Sequence, residues 1–406
     1  MQVTDLAKIA RTIEGKIVPV FVTDIRRTTR LLNLRDNTIV EAAFDEGNIE
    51  AGAASEAVSE LELELKGGSV GPLYELAVQL QSLAPFWIST ESKSARGWHL
   101  RTGQTEGPTE AQTPKLDRRV RAANGFREII GETLGHLTCN IGPTLRGDAE
   151  GVHQMRTALR ASRAALEFFA PWLDAAAVQR FDAELQGFGR LFGAARDWDV
   201  FCLETLPAAI LELPEARLHD MRPAAEARRL LAQTVVADAV CGRQFVAMVL
   251  GLAAWTEERA ARQPILGDEG MHQHLASLAP SLLDRVEGKV KQRQHHKGKL
   301  SAEARHGIRK ALDKLCDDVR FLTRLFPHRE LERYRDRCED VQVILGVAND
   351  AEVAQQLALG LAEDRRRNLA KPATTLARWS ARRSRKSLRG LKTALEVFRA
   401  TPVFWR

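Results

Sequence analysis

The chain has 406 residues, of which 44% are hydrophobic and 28% are charged, which is typical of a folded globular protein and excludes a disordered one. No run of about 18 apolar residues occurs, so the sequence predicts no membrane-spanning helix. The first twenty residues carry Asp5 and Glu14 and lack the apolar block of a signal peptide. The five cysteines are scattered, and the compartment expected from them is a reducing cytoplasm.

Charge is divided unevenly along the chain. Residues 1–113 contain 11 Lys+Arg and 16 Asp+Glu, a net charge of −5. The whole chain has 59 Lys+Arg and 53 Asp+Glu. Residues 114–406 therefore contain 48 Lys+Arg and 37 Asp+Glu, a net charge of +11. A basic surplus of this kind predicts attraction to polyanions without specifying which polyanion.

Neither cysteine nor histidine spacing predicts a metal site or a disulfide framework. The cysteines are scattered without a Cys-x-x-Cys pair, so they are predicted to be small buried side chains. The histidines considered as ligands have no His or Cys partner at ligand spacing. The cysteines are Cys139, Cys202, Cys241, Cys316 and Cys338, and the histidines are His153, His306, His295 and His296.

The first hundred residues are predicted to form mainly strands. Ile17–Ile25 and Thr38–Phe44 are rich in β-branched residues, and Asp45–Asn48 is predicted to be the turn that follows them. In Ser59–Lys66 leucine and glutamate alternate, which predicts a strand with one apolar and one acidic face. Leu73–Leu83 is predicted to be a short helix.

A change of pattern divides the chain. Residues 104–114 (QTEGPTEAQTP) are polar with two prolines and a glycine, which predicts a linker. The following residues have helical periodicity, interrupted by prolines and glycines. We therefore predict a strand-rich segment over residues 1–103 and a helical domain over residues 115–406, with repeats of about 115–260 and 271–406.

The helical region contains an internal repeat at a shift of 153 residues. VHQMRTALRASRAALEFF, which begins at Val152, aligns with RHGIRKALDKLCDDVRFL, which begins at Arg305. Further on, RLFGAARDWDV from Arg190 aligns with VILGVANDAEV from Val343. Two separate motifs that recur without a gap predict two structurally equivalent helical units.

The first copy predicts an amphipathic helix with a basic row. Apolar residues from Val152 to Phe169 recur at steps of three and four, and basic residues do the same one position later. The basic row is thus rotated by about 100° from the apolar stripe and borders the core seam. The row consists of His153, Arg156, Arg160 and Arg163.

The second copy has a shorter basic row, because His306 and Arg309 are followed by Asp313 and Cys316. The second half-site is therefore predicted to be weaker, with other lysines of the helix replacing what is lost. Most basic helix faces are simply solvated. Like charges at this spacing repel one another, however, and a bound anion would relieve that repulsion.

Gly193 and Asp197 of the first copy recur as Gly346 and Asp350 in the second. A glycine four residues before the aspartate predicts close packing of one helix on another. The aspartates are predicted to accept hydrogen bonds that hold an arginine or histidine of the repeat in place. We interpret Asp197 and Asp350 as orienting residues without a catalytic role.

These two motifs, each in two copies, resemble the CHAD family, the conserved histidine α-helical domain. The resemblance extends from about Lys115 to Arg406 and includes the basic segment Lys289–Lys299 and the aromatic ending ATPVFWR. It implies two antiparallel helical bundles related by a pseudo-twofold axis, with a basic groove that binds inorganic polyphosphate. At Asp313 and Cys316 the sequence departs from the family, which usually has basic residues there.

The resemblance implies a set of polyphosphate-binding residues, which are all basic. They are His153, Arg156, Arg160, Arg163, Arg196, His306, Arg309, Lys310 and Lys314.

The first hundred residues resemble the second half of a CYTH domain, the triphosphate tunnel fold, in VFVTDIRRTTRLLNL, IVEAAFDEGNI, VSELELELKGG and STESKSARGWHL. In such a tunnel basic side chains bind triphosphate and carboxylates hold a divalent metal. The half that opens with a Glu-x-Glu-x-Lys strand does not precede Met1, so we expect a vestigial site without triphosphatase activity. The positions implied are Arg26 or Arg27, Arg30 and Lys93 for the anion, and Glu41, Glu60, Glu62 and Glu64 for the metal.

The sequence thus predicts a mainly α-helical protein of two pseudo-symmetric antiparallel bundles, with a small α+β segment at its N-terminus. The predicted function is polyphosphate binding and association with polyphosphate granules, with no catalytic residue, no cofactor and no membrane contact. Two alternatives stay open. One is a CYTH-type inorganic triphosphatase that uses Mg²⁺ or Mn²⁺, if its first half is merely missing here; the other is a nucleic-acid-binding protein. A base-stacking surface is disfavoured, because few aromatic residues lie outside the apolar stripes.

Overall fold

The computed structural model describes residues 18–261, 269–294, 300–363 and 368–406. His295 and His296, with the end of the basic segment Lys289–Lys299, lie outside the described residues. The chain divides into two compact units, Met1–Leu73 with Thr90–Gly107, and Tyr74–Ser89 with Pro108–Arg406.

The first unit contains a three-stranded antiparallel sheet in the order β1–β2–β3, together with a helix. Its elements are β1 (Val22–Asn33), β2 (Ile39–Ala51), β3 (Ala54–Gly67) and α2 (Lys93–Thr102). Helix α1 (Gly71–Leu83) lies between β3 and α2 in the chain, and most of it belongs to the second unit. Ser92 caps α2 by accepting a hydrogen bond from the amide of Ala95 at 3.1 Å. The predicted alternation in β3 is confirmed: Glu60 pairs with Asp45, and Leu61 pairs with Phe44 on the other face.

The predicted turn at Asp45–Asn48 is wrong, because β2 continues through it. The chain reverses instead before and after this strand, where Asp36, Asn37 and Gly52 have φ values of 58°, 54° and 65°. Left-handed backbone of this kind suits the tight connections of a hairpin. Asp45 therefore sits in mid-strand, fully buried, on the same face as the glutamates of β3.

The second unit is built almost entirely of helices. They are α3 (Ala122–Cys139), α4 (Ile141–Leu145), α5 (Ala149–Phe169), α6 (Ala175–Val200), α7 (Leu206–Glu212), α8 (Arg222–Cys241), α9 (Arg243–Ala261), α10 (Leu275–Gln294), α11 (Ala302–Phe321), α12 (His328–Ala362), α13 (Ala370–Ser387) and α14 (Leu391–Ala400).

The helix boundaries repeat at the shift found in the sequence. Helices α3, α5 and α6 begin at residues 122, 149 and 175, and α10, α11 and α12 begin 153 residues later, at 275, 302 and 328. The short 3₁₀ segment Ala170–Trp172 likewise recurs as Thr323–Leu325. The prediction of two pseudo-symmetric helical bundles is confirmed.

A reciprocal pair of backbone hydrogen bonds joins the two copies. The amide of Ala122 donates to the carbonyl of Gln273 at 2.9 Å, and the amide of Leu275 donates to the carbonyl of Val120 at 2.8 Å. Ala122 is equivalent to Leu275, and Val120 to Gln273, so the exchange is symmetric. Buried side chains of both copies, among them Leu159 and its equivalent Leu312, share one hydrophobic core.

Cys139 and Cys241 are exposed, in contrast to the buried positions predicted for the cysteines. Each is the last residue of its helix, α3 or α8, where the side chain leaves the packed face. Among the described residues no single helix is long and apolar enough to cross a membrane. The helical segments Leu218–Cys241 and Arg243–Glu258, which meet at a bend of 52°, would together be long and apolar enough, by length and composition only.

The glycines of the repeated motif do not mark close helix packing as predicted. A β-carbon at Gly193 would meet only Nε of Arg156, at 3.6 Å, and one at Gly346 would meet nothing within 4 Å. Close approach occurs instead at Gly151, whose β-carbon would lie 2.9 Å from the backbone nitrogen of Thr144. The motif glycines therefore leave open space, and Gly193 leaves it beside Arg156.

Gly151→Ala is expected to lower the free energy of unfolding by about 1–3 kcal/mol, because the added methyl group overlaps backbone that cannot move away cheaply. Gly346→Ala is the matched control and should raise the free energy of unfolding by up to about 1 kcal/mol, because alanine favours helix and meets open space. Urea unfolding followed by circular dichroism measures both. Equal stabilities of the two variants would contradict the packing described.

Candidate anion-binding site

Two capped helices, α5 and α11, present the predicted basic residues. Asp148 caps α5 by accepting hydrogen bonds from the amides of Glu150 and Gly151, at 2.8 and 3.3 Å. Ser301 caps α11 by accepting one from the amide of Ala304 at 3.1 Å. Each cap satisfies amides that the first turn leaves without partners and so fixes where the helix begins. The basic rows of the two copies therefore start at equivalent positions.

The centre of the site is the equivalent pair Arg156 and Arg309, one from each helix. Arg156 is half-buried and makes no hydrogen bond or ion pair with any described residue. Burial, followed by the charges of Arg160 and Arg309, lowers the pKa of Arg156. Arg309 has one long ion pair, with Asp313 at 3.6 Å, and its Nε is buried without a hydrogen-bond partner. Two neighbouring cations are thus incompletely neutralised.

The two histidines offer hydrogen bonds at neutral pH and no charge. Burial, and then the charge of Arg196, lowers the pKa of His153 from 6.5. Burial, and then the charge of Lys310, lowers the pKa of His306 in the same way. Nδ1 of His153 is buried without a hydrogen-bond partner among the described residues. A neutral imidazole with an unused ring nitrogen can donate a hydrogen bond to an anion in one of its tautomers.

Four of the predicted cations are already paired with carboxylates. Nε of Arg160 donates to Oδ2 of Asp317 at 3.0 Å, and the Asp317 side chain is only 6% exposed. The other pairs are Arg163 with Asp182 at 2.8 Å, Arg196 with Glu204 at 3.3 Å, and Lys314 with Glu167. The pairs of Arg160 and Lys314 each join α5 to α11, so these cations also hold the two copies together.

Lys310 extends the site along α11. Its side chain is exposed and makes no ion pair with a described residue. Partial removal of its ammonium group from water lowers the pKa of Lys310, and so do the charges of Arg163, Arg309 and Arg293. Arg293 of α10, whose Nη1 donates to the carbonyl of Gly307 at 3.0 Å, was missed among the site residues. Its place in a basic segment of the sequence was the signal that could have found it.

The aspartates of the repeated motif face one small cavity between the two copies. It is lined by Asp197 and its equivalent Asp350, and by other residues of α6, α12 and the segment after α6. The predicted hydrogen bonds from a repeat arginine or histidine are absent among the described residues, because Arg196 turns to Glu204 instead. Burial raises the pKa of Asp197 to about 6; the charge of Arg156 opposes the rise and that of Asp350 adds to it. Asp197 therefore acts on the arginines through charge and not through direct bonds.

In the first unit, Lys93 of α2 places its ammonium group among three carboxylates of the sheet. Nζ lies 2.6 Å from Asp45 and 2.9 Å from Glu62, and it also pairs with Glu60. Arg27 donates to Asp45 at 2.7 and 2.6 Å and to Glu62 at 2.7 Å. The bond from Arg27 is the largest cause that lowers the pKa of Asp45 to about 2.

Asp45, Glu60 and Glu62 each offer an oxygen within 4.8 Å of the other two, a spacing that suits a divalent cation. The ammonium of Lys93 lies among these oxygens, so a metal fits only if Lys93 moves away. Sequence reasoning missed Asp45 because it was placed in a turn.

The remaining predicted positions of the sheet lie apart from this cluster. Glu41 and Glu64 pair with Lys66 at 3.5 and 2.8 Å. Arg30 is an odd number of residues from Arg27 along β1, so its side chain points to the opposite face. Arg26 lies on that opposite face as well, with Glu46 at 3.1 Å.

The CHAD domain family matches residues 128–359, more than half of the chain. The chain belongs to the CHAD family. Two solved structures share its fold. The CHAD domain from the plant Ricinus communis superposes with a TM-score of 0.62 at 23% identity, over 73% of this chain and 98% of that one. PptA from Streptomyces chartreusis superposes with a TM-score of 0.51 at 15% identity, over 68% of this chain and 100% of that one.

A further likeness lies in the N-terminal part of this CHAD protein. The inorganic triphosphatase of Haemophilus influenzae (strain ATCC 51907 / DSM 11121 / KW20 / Rd) is 38% identical over 86 residues, which are 21% of this chain and 24% of that protein. The chain thus spans about a quarter of the length of this curated relative. The likeness agrees with the CYTH-like character of the first unit.

Asp197→Asn is expected to stabilise the CHAD unit at pH 7. The folded-state pKa of about 6 lies above the ordinary 3.8, so the folded chain holds the proton more tightly than the unfolded chain does. Stability is therefore lost as the pH rises from about 4 to about 6, by up to about 3 kcal/mol. Urea unfolding at pH 4 and pH 7 measures the change. An identical pH dependence in the variant and in the unmodified chain would contradict this assignment, and Asp336→Asn, at an exposed position of α12, is the control.

Proposed function

We propose that the helical unit binds inorganic polyphosphate in the groove between α5 and α11. The observation that supports this proposal is the proximity of Arg156 on α5 to Arg309 on α11, with the charge of neither fully neutralised. A guanidinium group offers donors in a fork that matches phosphate oxygens. An anion placed here would relieve the repulsion between the two arginines.

The shape of the charged region supports a polymer of phosphates over a single phosphate. Cations follow one another from Arg196 through the central arginine pair to Lys310 and Arg293, and each lowers the pKa of a basic group next to it. A linear chain of phosphates can contact such a series one unit after another. Association with polyphosphate granules would follow from the same contacts.

Nucleic acid is the competing polyanion. The groove residues described above include no aromatic side chain on which a base could stack, and stacking supplies much of the affinity for single strands. Phosphate contacts alone would still attract a duplex. Competition between long-chain polyphosphate and double-stranded DNA, in matched phosphate units and salt, separates the two ligands.

Arg156→Gln is expected to weaken polyphosphate binding more than Arg309→Gln does, because Asp313 already shares the charge of Arg309. The loss for Arg156→Gln should be about 1.5–3 kcal/mol, roughly ten- to 150-fold in Kd. Titration at several salt concentrations should also give a shallower dependence of log Kd on log salt, because one phosphate contact is lost. Arg324→Gln, an exposed arginine, is the control. Equal losses from the two groove variants would show that the half-sites are equivalent.

Inorganic triphosphatase activity is the second candidate, favoured by the Asp45, Glu60 and Glu62 cluster and by the Haemophilus influenzae relative. We expect no activity from the 406-residue chain. Lys93 and Arg27 already neutralise these carboxylates, so little charge is left to hold the metal that phosphoryl transfer requires.

Phosphate release from triphosphate with Mg²⁺ or Mn²⁺ should therefore stay at background for the unmodified chain. Colorimetric phosphate detection over a range of metal concentrations measures it. Turnover above background that disappears in Glu62→Gln would establish the enzyme. The same turnover in Glu62→Gln would indicate a contaminating phosphatase.

A further inference from the structure

The helix α13 carries an exposed basic face that the groove does not use. From Asn368 to Leu395 the sequence has no Asp or Glu, and it has eight Lys and Arg. Six of these lie on the outer side of the helix or at its end, and together they are called here the α13 face. The α13 face consists of Lys371, Arg378, Arg382, Arg385, Lys386 and Arg389, all exposed.

Four residues of the α13 face form a straight row. Lys371, Arg378, Arg382 and Arg385 follow one another at steps of seven, four and three residues, so they lie on one side of the helix over about 21 Å. None of the six side chains makes an ion pair with a described residue. The opposite side of α13, with Leu376 and Trp379, is buried.

The buried side of α13 and two hydrogen bonds fix the orientation of this helix. Nε1 of Trp379 donates to the carboxylate of Glu212 at 2.7 Å, which anchors the buried side of the helix to α7. At the other end, Oγ of Ser387 donates to the carbonyl of Ile344 on α12 at 3.0 Å. The basic residues are therefore held outward by the packing of their own helix. Their row lies apart from the groove, because α13 packs on α12 whereas the groove lies between α5 and α11.

The fold itself does not require this charge. In the first copy, α8 packs on α6 as α13 packs on α12. Helix α8 nevertheless carries Glu226 and Asp238 and exposes Leu230 and Leu231. An outer helix without a continuous row of cations thus serves the same architectural purpose. The unpaired cations of α13 cost repulsion and add nothing to the core, which favours a role outside the fold.

The chemistry of the α13 face selects among polyanions. The large apolar side chains of α13 itself, Leu376 and Trp379, are buried, so insertion of this helix into a membrane interface is disfavoured. Trp379 is only 5% exposed, so no aromatic surface is available for base stacking. The α13 face offers positive charges and hydrogen-bond donors in a line. A linear chain of phosphates can bind through these groups alone.

We propose that the α13 face is a second polyphosphate-binding surface, separate from the groove, so that one chain holds two segments of polyphosphate. This inference rests on the proposed function for the class of ligand, but it concerns different residues. Its consequence is cross-linking. A protein with two such surfaces joins long polyphosphate chains into assemblies, whereas a protein with one surface only coats them.

The test compares three variants of the full chain. The α13 variant is Arg382→Gln with Arg385→Gln and Arg389→Gln, and all three side chains are exposed. The matched control is Arg324→Gln with Arg329→Gln and Arg333→Gln, which removes the same charge from exposed positions without ion pairs. The groove variant is Arg156→Gln with Arg309→Gln. Circular dichroism verifies that each variant is folded.

Light scattering is followed while long-chain polyphosphate is added, and binding of tripolyphosphate is measured separately. The unmodified chain and the matched control should scatter strongly near charge equivalence and clear in excess polyphosphate. The α13 variant should scatter at least about tenfold less than the unmodified chain. Its affinity for tripolyphosphate should stay within about twofold of that of the unmodified chain, because the groove is intact. The groove variant should lose tripolyphosphate binding and retain weak, salt-sensitive binding of long chains.

Scattering by the α13 variant equal to that of the matched control would overturn the inference. The inference would also be overturned if the α13 variant responded to polyphosphate as the unmodified chain does but lost binding to duplex RNA or to phosphatidylserine vesicles. The α13 face would then bind another polyanion. Failure of the groove proposal looks different. In that case the groove variant binds tripolyphosphate as the unmodified chain does, whatever the α13 variant does.

Discussion

The structure depends on two ion pairs that hold like-charged helices together. Helices α5 and α11 both carry cations, among them the neighbouring Arg156 and Arg309, and these cations repel each other. Arg160 with Asp317, and Glu167 with Lys314, each place one charge on α5 and its opposite on α11. Asp317 is only 6% exposed, so loss of Arg160 would leave a nearly buried charge uncompensated, which typically costs about 3–5 kcal/mol. The pair of Glu167 and Lys314 is about one third exposed on both sides and contributes less. The pairs therefore set how closely the two basic rows approach each other.

Divergence between the copies makes those pairs available. A perfect repeat of the first copy would place alanine at positions 317 and 314, which are equivalent to Ala164 and Ala161, and neither ion pair could form. In the second copy Arg160 is replaced by Asp313 and Ala164 by Asp317, and the first copy has Glu167 where the second has Arg320. Asp313 also accepts a hydrogen bond from Gln342 at 2.8 Å. The acidic substitutions are thus structural partners of the basic row and not simply its decay.

Local pattern in the sequence was enough to predict the helices, their repeat and the central arginines, because each depends on spacing within one helix. What it could not supply is which cations are neutralised, since Asp182, Glu167 and Asp317 meet them only through the tertiary fold. The wrong prediction of a turn at Asp45 has the same cause. An aspartate close to Gly47 favours a turn locally, but strand pairing along the whole of β2 outweighs that preference.

Arg156 is a half-buried cation that has no ion pair with a described residue. Each of its neighbours Arg160 and Arg196 has a carboxylate partner, and Asp197 is close enough to act on Arg156 electrostatically without bonding to it. Because Asp197 has a pKa of about 6, it is ionised at pH 7 but accepts a proton readily. An arriving polyanion would raise that pKa further, so binding would draw a proton onto Asp197 and strengthen as the pH falls toward 6. If the proposed ligand binds here, the carboxyl group that is costly for stability would also let the charge beside Arg156 adjust to the bound anion.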